Sequence, residues 1–545
     1  MAQTKTKVKD LTGALWNASN VLRNKMNATE YNTYLLSFIF YKYLSDKQLM
    51  EVDKNLREDG DVTPFTLEDA SKQYQEIMTE QDDMSEALHE ALQEEMGFVL
   101  HPDLTFTALV ASIHQGTFQL EQLQQALRDI ETSGEVFKDL FSDVDLRSTR
   151  LGPNMQKQNK TVADVLLALD GLNLAQAASG DVLGDAYEYM ISQFAADSGK
   201  KAGEFYTPHA VSELMTRLAL HGRTGLNSLS LYDATMGSGS LLLHAKKYVP
   251  DSLVNKIHYY GQELNTSTFN LARMNMILHN VPHTNQQLNN GDTLADDWPG
   301  GDDGKTTFDA VLMNPPYSAS WSAAKGFLQD PRFSDFGGKL APKSKADFAF
   351  LQHGFHHLDS DGTMAIVLPH GVLFRGNAEG TIRQSFLEKG YIDAVIGLPG
   401  GIFYNTPIPT VVLILKKNRT TRDVLFIDAS EQFEKQKAQN VMKSEHIEAI
   451  FDAYTNRQDV DKFAHVASFD EIKDNDFNLN IPRYVDTFEE EEPVDMASVG
   501  KEIKEVRESK KELEKSLFES ISSLQYREED EAWIKGALEV FDNEE

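Results

Sequence analysis

Apolar residues near the start of the chain recur at steps of three, four and seven: Leu11, Leu15 and Leu22, then Leu35, Phe38, Ile39 and Tyr43, with polar positions between them. That spacing lines one face of a helix. A second periodic stretch runs from Leu92 to Leu100, and another from Phe106 to Ile113 follows a turn at His101-Pro102. The pattern predicts a helical N-terminal domain over residues 1–165, with roughly five to eight helices. Leu151-Gly152-Pro153-Asn154 forms a turn-rich break before a further helix over 162–169 leads onward.

From about residue 203 the texture changes. Short β-branched or Leu-rich runs at 228–232, 257–262, 309–313, 363–368, 392–398 and 409–415 alternate with helix-length segments. This is the pattern of a doubly wound, Rossmann-like α/β sheet, expected to occupy a domain over 166–485. After Pro482 the chain turns polar, and Glu489 to Glu492 with Pro493 reads as a linker. In the remaining segment, 486–545, Val499, Ile503, Val506, Leu513, Leu517 and Leu524 fall on alternating three- and four-residue steps. That predicts a helical tail, which either lies on its own domain or pairs with a partner as a coiled coil.

Composition narrows the function classes. The 545 residues hold 84 Asp and Glu against 52 Lys and Arg, a net charge of −32, and the tail from 486 onward contributes 20 acidic and 8 basic residues. Such a tail repels phosphate. The absence of cysteine excludes disulfides, Cys-ligated metals and any cysteine nucleophile. No apolar run is long enough to span a bilayer and no apolar signal core follows the N-terminal lysines, so the expected location is cytoplasmic.

Four segments carry chemistry. Asp233-Ala234-Thr235-Met236-Gly237-Ser238-Gly239-Ser240 follows a predicted strand and precedes a helix; its glycines let backbone approach a ligand closely. Glu263, at the end of the next strand, has the reach to take both hydroxyls of a ribose. Asp292, at the following strand end, can accept from the exocyclic amine of an adenine. Spaced almost evenly, these three strand ends predict a site for an adenosine-type cofactor. The sharpest segment is Asn314-Pro315-Pro316-Tyr317, reached directly from the apolar run that begins at Phe308. The exocyclic amine of adenine is a poor nucleophile because its lone pair is delocalised. An Asn oxygen and a proline carbonyl, each accepting one N–H, favour a pyramidal nitrogen and so stabilise the transition state more than the ground state. Proline fixes its carbonyl without adding a donor, and the Tyr317 ring offers a stacking face for a base taken out of its helix.

Together these motifs resemble the S-adenosylmethionine-dependent amino-methyltransferases of DNA, and the whole chain resembles the modification (M) subunit of a type I restriction-modification system. In that family Asn-Pro-Pro-Tyr marks adenine-N6 enzymes, and methylation at cytosine C5 is independently excluded for want of a cysteine. The resemblance implies that Asn314, Pro315, Pro316 and Tyr317 are catalytic. It implies that Glu204, Phe205, Tyr206, Thr207 and Pro208 contact S-adenosylmethionine together with Asp233, Gly237, Ser238, Gly239, Glu263 and Asp292, and that Asp347 packs near the cofactor. Segment 203–208 precedes the glycine motif, which precedes the catalytic motif; that order is the γ arrangement. Phe403, within 397–404, matches an aromatic that lies with Tyr317 against the flipped base. No metal is implied. One departure stands out: Ala234 occupies a place where the family usually has proline, with Thr235-Met236 in place of small residues.

A γ-type enzyme that acts alone carries a basic target-recognition domain after its core. Here the residues after Leu415 are few and acidic. The resemblance therefore implies that sequence reading belongs to a separate specificity (S) subunit, commonly joined by two M subunits, with the heptad-like tail as a docking handle. Without a phosphate loop or nuclease signature, translocation and cleavage fall to a restriction (R) subunit. Double-stranded DNA is then met within a complex; Lys200-Lys201 and the group Lys339, Lys343 and Lys345 either contact backbone locally or are solvated surface lysines. Two other readings remain: an RNA or protein-glutamine methyltransferase, and a non-catalytic assembly subunit.

Overall fold

In the computed structural model, residues 18–23, 25–57, 65–80, 83–172, 174, 184, 187–188, 190–191, 207–223, 225–300, 307–403, 407–436, 439–487, 495–525, 527 and 530–542 are described. The chain divides into two compact units, Met1–Asp486 and Thr487–Glu545.

The first unit opens with helices α1 (Ala28–Leu56), α2 (Leu67–Glu80), α3 (Asp83–Met96), α4 (Phe106–Gln115), α5 (Leu120–Thr132) and α6 (Met155–Asp170). Their starts are written in local chemistry. Asn27 accepts from Glu30 N at 3.1 Å while Glu30 reaches back to Asn27 N, closing a capping box at α1. Thr105 caps α4, and Gly116 ends it in the left-handed conformation. The apolar faces anticipated from the periodicity, Leu35, Phe38, Ile39 and Tyr43 among them, form one buried cluster.

α7 (His209–Leu220) leads into the sheet region, whose strands are β1 (Leu229–Asp233), β2 (Ile257–Glu263), β3 (Gln286–Asn290), β4 (Phe308–Met313), β5 (Leu358–Pro369), β6 (Ile392–Gly397), β7 (Thr410–Lys416) and β8 (Val424–Asp428). The short β9 (Glu434–Lys435) and β10 (Asn440–Val441) pair with each other, and β11 (Ala464–Ala467) closes the set. The nine-stranded sheet runs β11-β8-β6-β7-β5-β4-β1-β2-β3. Strands β3, β2, β1, β4 and β5 are parallel neighbours, while β7 enters antiparallel between β5 and β6. The sheet is therefore doubly wound but mixed.

All six expected strands form. β3, whose end the Asp292 reading implied without an apolar run to mark it, reads Gln-Gln-Leu-Asn-Asn, because an edge strand with one neighbour needs little apolar surface.

Alternation along β4 shows how both faces are covered. Val311 and Met313 pack on one side with Phe348, Leu351 and Phe355 of α11 (Asp347–His356). Ala310 and Leu312 pack on the other with Val211, Leu214 and Leu218 of α7. Between β1 and β2 lies α8 (Ser240–His244); after β2 comes α9 (Thr266–Leu278). Met274 and Leu278 of α9 belong to the helical cluster, so the N-terminal helices pack onto the sheet region through α9.

The second unit contains α15 (Met496–Ser522) and α16 (Glu531–Asp542), numbered after α10 (Pro331–Ser334), α12 (Asn377–Glu388), α13 (Ser444–Asn456) and α14 (Phe469–Asp474). Ile503, Val506, Leu513 and Leu517 are exposed along α15. The expected linker at 489–493 lies outside the described residues.

Candidate active site

Parallel strands place their carboxyl ends on one edge, and the loops that leave β1, β2, β3 and β4 carry the motif residues there. Asp233 ends β1 and is buried, with Oδ1 accepting Thr235 N–H at 2.9 Å. Burial pushes its carboxyl up to about 7, the nearby Glu263 charge adds to this, and the Thr235 donors oppose it. Gly237 and Gly239 adopt φ of +54° and +78°, a region that admits glycine without strain. Gly237 N–H donates to Glu263 Oε2 at 3.2 Å, and Asn265 N–H to Glu263 Oε1 at 2.8 Å. The β1 turn and the β2 carboxylate are thus one unit. Burial also raises the Glu263 pKa.

Ser238 is buried, its carbonyl accepting from Asn275 of α9 at 3.1 Å. Asp292 is exposed and caps its own turn, accepting Leu294 N–H at 3.0 Å. That turn is tied down by Thr293 Oγ1 to Ala234 O at 2.5 Å and by Arg332 Nη1 to Thr293 O at 2.9 Å. Alanine in place of the family's proline therefore leaves the glycine turn and its carboxylates assembled.

The Asn314-Pro315-Pro316-Tyr317 segment leaves β4 beside this group. Asn314 is buried, and its Nδ2 donates to Thr207 Oγ1 at 3.1 Å, which turns Oδ1 the other way, where Tyr317 OH donates at 3.0 Å. Thr207, expected at the cofactor, is in this structure the group that orients the Asn314 amide, and Pro208 caps α7. Neither proline carbonyl accepts a hydrogen bond among the described residues. Burial and the Asp347 charge push the Tyr317 hydroxyl up, so it remains a donor. The Phe403 ring stands edge-on to Tyr317, 6.0 Å between centroids at 88°.

Asp347, expected near the cofactor, is held by two partners. It is buried, with Oδ1 accepting Ser318 N–H and Oδ2 accepting Arg375 Nη2, both at 2.8 Å. Ser318 has φ +52°, so the carboxylate holds a left-handed residue immediately after Tyr317. Its contacts are with Ser318, directly after the Asn314–Tyr317 turn, and with Arg375. Glu204, Phe205 and Tyr206 lie outside the described residues.

Two features escaped sequence reasoning. Gln262, between Gly261 and Glu263, is fully buried with neither polar side-chain atom partnered among the described residues, and its Nε2 lies beside Gly291. Its place in the Gly261-Gln262-Glu263 run was the available signal. Asp297, His353 and His357 bring ligand atoms within 4.8 Å of one another. There, however, Asp297 bonds His357 at 2.9 Å, and Arg332, 3.3 Å from His353 Nδ1, already supplies the positive charge. His353 and His357 sit on α11 and at its end, a tertiary grouping with Asp297 that periodicity does not reveal.

Comparison with known proteins bears on this geometry. The family model for N-6 DNA Methylase matches residues 178–493, and that for the HsdM N-terminal domain matches 11–169. The chain is 33% identical to the type I restriction enzyme MpnII methylase subunit of Mycoplasma pneumoniae, covering 94% of this chain and 95% of that one. It is 31% identical to the MjaVII methylase subunit of Methanocaldococcus jannaschii over 88% of this chain and 79% of the relative. Among solved structures, the methyltransferase subunit of a type I restriction-modification system from Streptococcus thermophilus matches with TM-score 0.83 and 60% identity, covering 88% of this chain and 100% of that one.

Proposed function

The chain belongs to the N-6 DNA methylase family, as a methylase subunit of the type I restriction enzymes, and is a DNA methyltransferase; from that premise we propose that it methylates the N6 amine of adenine in duplex DNA, with S-adenosylmethionine as methyl donor. The observation that carries the reading is the orientation of Asn314. Thr207 takes its amide N–H, so its acceptor oxygen is turned to the Tyr317 side, where the Phe403 ring packs edge-on against Tyr317. An acceptor there suits an amine with two hydrogens. Asn314 Oδ1 keeps a lone pair beyond the one Tyr317 uses, and the unengaged proline carbonyls supply the second acceptor. Drawing both N–H groups out of the ring plane restores the nitrogen lone pair, an effect that grows towards the transition state. The half-buried Tyr317 ring offers aromatic surface for the extruded base, and the buried Phe403 ring backs it edge-on.

The donor set beside this pocket fits S-adenosylmethionine. Asp233, Glu263 and the left-handed glycine turn stand together, and the unpartnered Gln262 amide lies against the Asp292 turn. When bound, S-adenosylmethionine supplies a methyl group activated by its sulfonium. Glu263 would hold ribose hydroxyls, Asp292 the adenine amine, and the glycine turn and Asp233 the remainder, with Pro208 at the flank.

Target choice is assigned to a separate specificity subunit, because a chain of net charge −32 is poorly suited to reading DNA alone. The exposed stripe Ile503, Val506, Leu513 and Leu517 supports helical docking of two such chains on one specificity subunit, with a restriction subunit completing the complex. The test is transfer of labelled methyl groups to unmodified DNA, followed by nucleoside analysis, with the wild-type chain and Asn314→Ala, each alone and with the proposed specificity subunit. The expected product is N6-methyladenine, formed only with the partner and reduced on the order of 10²-fold or more by Asn314→Ala at unchanged cofactor affinity. Full activity of Asn314→Ala would sink the assignment.

A further inference from the structure

The loop between the catalytic turn and α11, residues 318–346, carries charge of the opposite sign to the rest of the protein. It contains five basic and two acidic residues in a chain with 84 acidic and 52 basic. Arg332 is buried and already paired with Asp330 at 2.7 Å. That leaves Lys325, Lys339 and Lys343 exposed, none with a hydrogen bond from its ammonium or an ion pair among the described residues. Lys345 is half-buried, and its charge reaches Glu379. Elsewhere, exposed lysines such as Lys160, Lys510 and Lys535 find a carboxylate one helical turn away.

The loop is built to hold these charges in place. Its two ends are zipped together: Trp321 N–H donates to Lys343 O at 3.0 Å, Trp321 Nε1 to Pro342 O at 3.2 Å, and Ala346 N–H to Ala319 O at 2.8 Å. Trp321, Phe327 and Phe333 pack as a triangle with ring centroids 5.4–5.7 Å apart, and Phe336 stacks on Phe386 of α12 at 4.1 Å. Lys343 and Lys345 are thereby set at the base of the loop, where it joins the catalytic turn. Unpaired lysines on a scaffold ordered by aromatic packing have less backbone entropy left to lose on binding than lysines on a slack loop.

We propose that this loop is the surface by which the chain holds the sugar-phosphate backbone of duplex DNA next to the target base. The proposal rests on the DNA methyltransferase reading. A base presented to Asn314 remains covalently attached to its strand, so the phosphates flanking it must pass beside the element that continues directly from Tyr317. That element is the loop. Ammonium groups bind phosphate as point charges and release counterions, giving affinity without sequence preference. An acidic enzyme whose base choice is made elsewhere needs such a contact.

The test uses the full-length chain and a labelled DNA duplex, with binding followed by fluorescence anisotropy from about 50 to about 200 mM salt, where each phosphate contact contributes roughly 0.9 to the slope of log K against log salt. Replacement of Lys325, Lys339 and Lys343 by Gln is expected to lower that slope by about 2 to 3, with S-adenosylmethionine affinity and thermal melting unchanged, and replacement by Arg to restore it. An unchanged slope, no measurable binding by the wild-type chain at the lowest salt, or an effect confined to duplex RNA overturns the proposal. The two readings fail separately: N6-methyladenine formed by an enzyme whose binding ignores the lysines leaves the chemistry standing and removes the surface, whereas lysine-dependent binding without methylation does the reverse.

Discussion

Asp233 offers a stability prediction whose sign is fixed by its surroundings. Burial raises its pKa from the ordinary 3.8 to about 7, so between those values the folded protein holds a proton that the unfolded chain has released. Stability from this group is full below pH 3.8 and is lost as pH rises towards 7, by about 1.4 kcal/mol per unit, or roughly 4 kcal/mol in all. Asn is close in shape to the protonated acid, and its Oδ1 still accepts the Thr235 N–H now held at 2.9 Å. Asp233→Asn should therefore be near wild type in stability around pH 4. Its advantage should grow through pH 5 and 6 and level off above pH 7. The difference between two denaturant titrations, wild type and variant at each pH, isolates this residue from every other titrating group. Cofactor affinity should fall in the variant, because the carboxylate is no longer available to the ligand. A stability difference that stays flat from pH 4 to pH 8 would refute the reasoning, since it would mean that the buried carboxyl titrates normally.

Two further outcomes follow from the geometry. A Cβ on Gly261 would stand 2.3 Å from Met236 Sδ, so Gly261→Ala should cost about 1–3 kcal/mol in denaturant titrations and weaken cofactor binding through the displaced glycine turn, with Met236→Ala in the same chain recovering much of the stability. Asp347→Ala removes the acceptor for Ser318 N–H and leaves Arg375 with Glu379 as its remaining partner; kcat should fall at least tenfold at unchanged cofactor Kd, with Asp347→Asn intermediate because its oxygen still accepts from Ser318. A raised cofactor Kd with normal kcat would return Asp347 to the cofactor site.

The periodicity of Leu35 to Tyr43, the six apolar strands and the glycine turn were legible because each is dictated by neighbours in sequence: helix spacing, two-residue alternation, and a left-handed turn between strand and helix. The chemistry proposed for Asn314 to Tyr317 also starts from the sequence, where two prolines and an aromatic leave a short list of uses. The absence of cysteine settled which base chemistries were excluded. Other features needed the folded chain. The extent of β3 left no apolar run to read, because a sheet edge tolerates Gln and Asn. The partners of Asp347 were not legible, because its segment carries no mark of what lies across from it; packing of α11 placed it against Ser318 and Arg375. Thr207 became the partner of Asn314 through a contact between residues 107 positions apart. The unpaired lysines of 318–346 could be counted in sequence, but whether they find carboxylates is decided by which surfaces meet. The sequence by itself determined the elements and the reacting groups, because both depend on local covalent and steric rules; the tertiary structure alone decided how those groups are aimed, because orientation is set by partners that the chain brings together only on folding.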